Sequence, residues 1–424
     1  MFRAPKFALL AVAGLALPFG SLQAEDWPGF RNAGRTGASS ETGLQQTWEG
    51  QQPRLLWSTE GIGGGFASVS IVGNRIFTTG NFADGQGAVC VAADSGRELW
   101  KTTITDVVPK HSYEGSRSTP TVDGDRLYLV TSDGQLACLQ TADGKIVWKR
   151  EFKKEFGGQM MSGWGYSEPP LVDGDRLICT PGGKNAMLVA LDKLTGEEIW
   201  RCAVPEFNRG RGAGYASVVI SNGGGVKQYI QVIGQGVIGV RADDGQFLWG
   251  YGRVANGTAN IPTPLVDGDY VFASTGYGTG AALLKLEATA EGVEAEEIYF
   301  KEGKELQNHH GGMVLHNGYV YLGHQHNNGF PMCVEMKTGE VAWGGNVRGP
   351  GSGSAAVIYA DGNLIFRYQN GLLAMIEATP REYKLKGTWM PEYTKTPSWA
   401  HPAIADGKLY LREQDRLMCY DLRK

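Results

Sequence analysis

The amino-acid sequence predicts an all-β fold: an eight-bladed β-propeller of four-stranded antiparallel blades, with the ring closed by an N-terminal strand. Three observations lead to this prediction. A tight turn and a Gly-x-x-x-Trp pattern each recur along the chain about fifty residues apart, and the last repeat lacks one strand. Repeats of this length that contain four short strands are typical of propellers.

The composition fits a large β protein. Gly accounts for 62 of 424 residues, which is roughly twice the usual share and indicates many tight turns. The hydrophobic content of 42% is enough for a core, so global disorder is excluded. The net charge of −4 offers no electrostatic footprint for nucleic acid, and we expect no nucleic-acid partner.

Residues 1–24 have the features of a signal peptide. An apolar run extends from Phe7 to Leu17, and a small residue, Ala24, stands at the expected cleavage point. A membrane anchor is the alternative, but the run is shorter than the about 20 residues that span a bilayer. No cysteine lies near the cleavage point, so we expect no lipid anchor. We expect an exported protein, periplasmic or extracellular, with no transmembrane segment in its mature chain. The mature chain is predicted to consist of an N-terminal extension over residues 25–53 and the propeller over residues 54–424.

Two sequence markers define the repeat. The Gly-x-x-x-Trp pattern ends at Trp100, Trp148, Trp200, Trp249 and Trp343. A degenerate copy is expected at Tyr299, because the last interval is twice the others. The turn marker, mostly Asp-Gly or Asn-Gly, has its glycine at Gly73, Gly124, Gly174, Gly223, Gly268, Gly318, Gly362 and Gly407. Such dipeptides favour hairpins, so each unit is predicted to contain four antiparallel strands.

The two ends of the chain are predicted to share one blade. The last unit stops after its third strand, around Cys419, and a spare strand precedes the first unit at Leu55 to Trp57. An open solenoid would instead need polar caps. Four cysteines (Cys90, Cys138, Cys333 and Cys419) occupy matching places in different units, so we expect buried free thiols there. For Cys179 and Cys202, which fall in one unit, the sequence leaves a disulfide open.

The Trp-containing fourth strand resembles the pyrroloquinoline-quinone (PQQ)-like repeat. That family includes quinoprotein alcohol dehydrogenases and the propeller lipoprotein of the outer-membrane β-barrel assembly machinery. The resemblance covers about residues 54–424, and the segments 27–31 and 308–312 also resemble motifs of exported bacterial propellers of this type. The resemblance implies the fold. It also makes PQQ held with Ca²⁺ the cofactor to consider.

The loops that enter each first strand and the loops between second and third strands lie on one face of the propeller, here called the top face. Strand order places six of the seven histidines on this face. His309, His310, His324 and His326 belong to one blade. If residues 324–326 are extended, the imidazoles of His324 and His326 point the same way. These four side chains are candidate ligands of Zn²⁺ or Cu²⁺. The alternative is loop histidines bonded to backbone carbonyls.

A quinone cofactor needs a stacking aromatic ring, a cation and usually Ca²⁺ with oxygen ligands. Arg117, Trp164, Glu168 and Trp399 are the candidate cofactor-binding residues, since they supply these residue types on the top face. Glu114 and Glu168 could alternatively form a carboxylate pair for glycoside chemistry. No adjacent-cysteine pair and no catalytic motif is present, so the catalytic residues stay unknown.

The leading hypothesis is an exported propeller that acts as a binding or scaffold module in the cell envelope. Its expected partner is another envelope protein or a small extracellular ligand, and we expect a monomer. The alternative hypothesis is a quinoprotein-type, PQQ-dependent dehydrogenase that uses the top-face funnel.

Overall fold

The computed structural model describes residues 1, 26–345 and 347–424, and the predicted signal peptide lies outside this part of the chain. The described residues form eight four-stranded antiparallel sheets, as predicted. The first strands of neighbouring blades contact each other, which places them around the central channel, and the fourth strands lie at the rim.

The strands follow the repeat. They are β1 (Arg54–Glu60), which belongs to the last blade; β2 (Ser70–Val72), β3 (Arg75–Asn81), β4 (Gln86–Ala92) and β5 (Glu98–Thr103) in blade 1; β6 (Thr121–Asp123), β7 (Arg126–Val130), β8 (Gln135–Gln140) and β9 (Ile146–Glu151) in blade 2; β10 (Leu171–Asp173), β11 (Arg176–Cys179), β12 (Leu188–Asp192) and β13 (Glu198–Cys202) in blade 3; and β14 (Val219–Ser221), β15 (Gln228–Ile233), β16 (Gly236–Arg241) and β17 (Phe247–Tyr251) in blade 4.

The second half of the ring has the same plan. Its strands are β18 (Leu265–Asp267), β19 (Tyr270–Thr275), β20 (Gly280–Thr289) and β21 (Gly292–Glu302) in blade 5; β22 (Asn308–His316), β23 (Tyr319–His324), β24 (Phe330–Glu335) and β25 (Val341–Trp343) in blade 6; β26 (Ala355–Ala360), β27 (Asn363–Tyr368), β28 (Leu373–Glu377) and β29 (Leu385–Trp389) in blade 7; and β30 (Ala403–Ala405), β31 (Lys408–Glu413) and β32 (Arg416–Asp421) in blade 8. Helical structure in the described part is limited to α1 (Phe152–Phe156) and a 3₁₀ turn (Gly223–Gly225), and no described helix has the length and apolarity to cross a membrane.

The ring closes as the sequence predicts. Strand β1 pairs antiparallel with β32, and Trp57 lies opposite Cys419. The blade therefore contains strands from both ends of the chain, which leaves no unpaired edge at the junction. All six cysteines are buried and free, so Cys179 and Cys202 are not bonded.

The Trp of the fourth strand links most blades to the next. Its indole Nε1 donates a hydrogen bond to a backbone carbonyl of the following blade, and in the first half of the ring the indole packs on the glycine of that blade's own Gly-x-x-x-Trp pattern. Trp249 is an exception, because it donates to Gln228 Oε1 of its own blade. The indole bonds run from Trp57 to Ala93, Trp100 to Thr141, Trp148 to Lys193, Trp200 to Ala242 and Trp343 to Thr379. In blade 5 Tyr299 replaces Trp and donates to the Met336 carbonyl over 2.7 Å, which confirms the predicted degenerate copy.

Residues 26–39, here called the N-terminal arm, lie against the inner strands of the ring. Trp27 is fully buried and forms an antiparallel bridge with Ile71 of blade 1. The Arg35 guanidinium donates to carbonyls of residues 169, 170 and 218, in blades 3 and 4. The Arg31 guanidinium donates to the Met313 and Val357 carbonyls, in blades 6 and 7. The arm therefore fills the central channel beneath the top face.

Candidate functional site

A cavity of about 390 Å³ opens on the top face, where loops or strand ends of all eight blades converge. The lining is aromatic and polar and consists of Phe30, Phe66, Tyr113, Arg117, Trp164, Ser167, Pro169, Tyr215, Ser217, Ile261, Thr263, Tyr277, His309, His310, Gly311, His326, Asn327, Gln369, Trp399 and His401. The volume is within the range of small-molecule sites. The described lining residues include one cation and no carboxylate.

The floor of the cavity comes from the N-terminal arm. Phe30 lines the cavity and packs on the ring of His401, with 4.8 Å between ring centroids. The next residue, Arg31, is 2% exposed and is fixed by backbone carbonyls of two blades. Because the arm fills the channel below Phe30, a ligand has access from the top face.

One wall of the cavity is built around Trp399. Its ring centroid lies 5.0 Å from those of Phe66 and Tyr113 and 4.9 Å from that of His310. Its indole Nε1 donates to Gln369 Oε1 over 2.9 Å, which fixes the ring orientation. Rings from four blades thus present apolar faces and edges to one space, an arrangement suited to a flat ligand.

Three histidines form a second wall. The ring centroid of His309 lies 3.9 Å from that of His310 and 4.0 Å from that of His326. His309 Nδ1 is 2.7 Å from Ser354 Oγ, whereas His309 Nε2 and His326 Nδ1 are buried without a hydrogen-bond partner. A neutral imidazole offers one donor and one acceptor, so each ring keeps one hydrogen-bonding nitrogen unused within the described residues.

Burial keeps these imidazoles neutral. Desolvation lowers the pKa of His309 to about 2 and the pKa values of His310 and His401 to about 3. Repulsion by neighbouring positive charge adds to the effect, from the other imidazoles at His309 and His310 and first from Arg31 at His401. At neutral pH they therefore act as uncharged hydrogen-bonding groups rather than as cations.

Arg117 supplies the positive charge of the cavity. Its Nη2 donates to the carbonyls of Ser112 and Tyr113, over 2.9 and 2.6 Å, and its guanidinium lies over the Phe66 ring, 5.1 Å from the centroid. Burial lowers the pKa of Arg117 to about 10, so the group stays protonated at neutral pH. Its Nε is buried without a partner, and it forms no ion pair with a carboxylate of the described residues.

The structure brings together most of the residues predicted from the sequence. Arg117, Trp164, Trp399, His309, His310 and His326 all line the cavity. His324 does not. The assumption of an extended segment at residues 324–326 is wrong, because Gln325 has a φ of 66° and turns the chain. His324 is 1% exposed, and its Nδ1 accepts from the Gln307 backbone N–H.

Glu168 also lies outside the cavity lining. Its side chain is 4% exposed, and its two oxygens accept hydrogen bonds from the Thr180 backbone N–H, the Thr180 hydroxyl and Gln231 Nε2. Burial raises the pKa of Glu168 to about 7. Glu114, its predicted partner in a carboxylate pair, is exposed, so the two acids have different environments.

Three residues of the cavity, Phe30, Phe66 and Tyr277, were not predictable from the sequence. The segment around Phe30 stood out as a motif, yet its position became apparent only from the folded ring. Tyr277 packs on His309 and His326, with centroid separations of 4.8 and 4.6 Å. It has a φ of 58° in the second-to-third-strand loop of blade 5. No periodic signal marks such a loop position.

The residues of the cavity do not fit a quinone held by Ca²⁺. Such an ion requires oxygen ligands, usually with carboxylates among them, and no carboxylate lines the cavity in the described part of the chain. The oxygens of Glu168 are occupied by Thr180 and Gln231. Residues 26–345 and 347–424 also contain no group of three or more His, Cys, Asp or Glu side chains that could hold a metal ion. Zn²⁺ or Cu²⁺ at the histidines stays a prediction.

Comparison with known proteins gives matches of two kinds. The PQQ_2 family model, described as outer membrane protein assembly factor BamB, matches residues 40–134 and 84–344. BamB of Kangiella koreensis is 27% identical over 50% of this chain and 48% of that protein, about half its length. BamB of Moranella endobia is 25% identical over 69% of this chain and 72% of that protein. A quinoprotein ethanol dehydrogenase of Pseudomonas putida is 27% identical, but the match covers only 22% of that enzyme.

Solved structures resemble the fold. BamB of Moraxella catarrhalis superposes with a TM-score of 0.60 and 14% identity over 87% of this chain and 97% of that chain. The quinohemoprotein alcohol dehydrogenase of Comamonas testosteroni gives a TM-score of 0.65 and 13% identity over 93% of this chain and 80% of that chain. At these identities the likeness concerns the fold alone.

Proposed function

Because the chain belongs to the PQQ_2 family, described as outer membrane protein assembly factor BamB, we propose that it works in the cell envelope as a binding propeller that holds a small organic ligand in its top-face cavity. The observation that carries this proposal is the cavity itself, which all eight blades line and the N-terminal arm closes from below. Concave, mostly aromatic sites with a few polar groups are typical of ligand-binding sites.

Export supports a role in the envelope. The apolar run from Phe7 to Leu17 and the small residue Ala24 have the pattern of a signal peptide, and the curated relatives carry the name of an outer membrane assembly factor. We propose that the protein works in the periplasm or outside the cell, as a monomer.

Binding is favoured over catalysis by the chemistry of the lining. The described residues place no carboxylate in the cavity that could serve as a general acid, a general base or a Ca²⁺ ligand. Burial holds the pKa values of His309, His310 and His401 far below neutrality, whereas an efficient acid or base needs a pKa near the working pH. A quinoprotein dehydrogenase is therefore the weaker candidate.

A second candidate function is docking of another envelope protein, as the names of the relatives suggest. One experiment addresses both candidates. The protein is purified from the envelope fraction of its own host and analysed by native mass spectrometry, beside a Trp164→Ala/Trp399→Ala variant and a control variant, Leu194→Ser. Leu194 is 54% exposed and does not line the cavity.

Our proposal requires an added small-molecule mass in wild type and control that is absent from the double variant. An added mass that survives the double substitution would place the ligand elsewhere. Wild-type protein with no small molecule, found instead in a stoichiometric complex with one envelope protein, would favour the docking function.

A further inference from the structure

We infer that the top-face cavity selects a flat organic anion, such as an aromatic carboxylate, and binds it without a metal ion, with Arg117 as the residue that recognises the negative charge. This inference rests on the proposed function and specifies its ligand. It follows from three features of the cavity: an uncompensated guanidinium, neutral imidazoles with free nitrogens, and aromatic walls.

The first feature is the charge balance. Among residues 26–345 and 347–424, Arg117 is the only cation in the lining, and no Asp or Glu accompanies it there. Its known partners are two carbonyl oxygens and the face of Phe66, which do not neutralise a charge. A partly buried cation without a counterion attracts an anion more strongly than a solvated one, because screening by water is reduced. A carboxylate also matches the planar geometry of the guanidinium group.

The second feature is the set of free hydrogen-bonding atoms. His309 Nε2 and His326 Nδ1 are buried without partners. Because His326 Nε2 accepts from Asn327 Nδ2, the proton of its neutral ring lies on Nδ1. A buried polar atom without a partner costs free energy, so a ligand that satisfies it gains affinity. A neutral imidazole can donate one hydrogen bond to an anionic oxygen while staying uncharged. The cavity therefore has donors for a second oxygen besides the guanidinium.

The third feature is shape. Trp399, Phe66 and Tyr113 form one aromatic cluster, and Trp164 with Tyr215 forms another, with 5.7 Å between their ring centroids. Flat, unsaturated bodies gain most from such walls, since rings pack face to face or edge to face. A saturated ring of equal charge presents no face for such contacts.

Two other ligand classes fit less well. Aromatic walls also bind organic cations, but Arg117 repels a positive charge and no carboxylate offsets it. A neutral aromatic compound would use the walls yet leave the guanidinium without a counterion. The net charge of the ligand is thus the property that separates these classes.

The test compares three probes by isothermal titration calorimetry at pH 7.5: 2-naphthoate, its neutral isostere 2-naphthamide, and cyclohexanecarboxylate. We expect 2-naphthoate to bind at least about tenfold more tightly than either of the others, as a charge-assisted hydrogen bond and ring packing would each supply. Arg117→Gln should abolish the preference for the anion over the amide, and Arg117→Lys should retain part of it.

Arg209→Gln is the matched control, because Arg209 is exposed and does not line the cavity. It should bind all three probes as wild type does. Near-ultraviolet circular dichroism and melting temperature establish that the Arg117 variants are folded.

Equal affinity for 2-naphthoate and 2-naphthamide would overturn the inference on charge while leaving the proposed binding function standing. A preference for the anion that persists in Arg117→Gln would overturn the role of Arg117. Absence of binding by all three probes would overturn the inference on ligand class, and native mass spectrometry would then decide the proposed function separately.

Discussion

Trp200 shows how strongly the ring depends on contacts between blades. Its indole is 7% exposed, packs on Tyr229 with 6.1 Å between ring centroids, and donates to the Ala242 carbonyl over 3.2 Å. Truncation of a buried Trp to Ala costs about 3–5 kcal/mol. We therefore expect Trp200→Ala to lower the free energy of unfolding by this amount.

Two further variants divide this effect into its parts. Trp200→Phe keeps an aromatic ring but loses the donor, and the Ala242 carbonyl still accepts from Arg176. We expect a loss of about 1 kcal/mol, the net value of one hydrogen bond. Gly245 has a φ of 76°, and a Cβ placed there would lie 2.5 Å from the Trp200 ring. Gly245→Ala should cost about 2 kcal/mol or more, since it combines left-handed strain with a clash.

The assay is equilibrium urea unfolding followed by circular dichroism, with Trp164→Ala as the control. Trp164 is partly exposed in the cavity wall, and its ring contacts the loop residue Tyr215 of the next blade rather than a strand of that blade, so its loss should cost less than about 1 kcal/mol. The reasoning would be refuted by a cost below 1 kcal/mol for Trp200→Ala, or by a Gly245→Ala variant as stable as wild type.

Four other predictions concern closure, the cavity and titration. Deleting residues 25–60 should expose the β32 edge and cause aggregation or a large loss of melting temperature; a monomeric variant of unchanged stability would contradict it. Phe30→Ala should weaken 2-naphthoate binding by roughly fivefold to tenfold in calorimetry, because the floor of the cavity loses its ring. The pKa of Glu168 is raised to about 7 in the native state, so the contribution of its protonated form to stability is complete below its ordinary pKa and is lost as pH rises through 7. In urea unfolding, the free energy of unfolding of wild type should therefore fall by about 3 kcal/mol relative to Glu168→Gln between pH 4.5 and 8. Parallel pH profiles of the two proteins would argue against a raised pKa. If the predicted zinc or copper site exists, calorimetric titration of wild type with Zn²⁺ or Cu²⁺ at pH 7.5 should give heats of binding, and the His309→Ala/His326→Ala variant should give none. Equal heats in the two proteins would reject the site.

The candidate site was predictable only in part. Strand order alone placed Arg117, Trp164 and Trp399 on one face, and all three line the cavity. It also placed His324 and Glu168 there, but each side chain instead satisfies buried groups of its own surroundings. Which face a loop occupies follows from topology, whereas the direction of a side chain within the loop depends on local φ values and neighbours.

The sequence by itself determined the number of blades, their strand order and the closure of the ring. These features rest on local chemistry repeated along the chain: glycines that permit left-handed turns, and a Trp whose packing surface, the next unit's glycine, recurs in phase. Because each marker acts between neighbouring strands or blades, counting the markers counts the blades.

Only the tertiary structure decided the cavity. Phe30 meets His401 there, and the N-terminal arm enters a channel that does not exist until the ring is closed. Contacts between residues hundreds of positions apart leave no periodic trace in the sequence. They arise because eight converging strands leave a space along the ring axis that some segment of the chain must fill. The segment that fills this channel then forms the floor of the cavity above it and limits its depth.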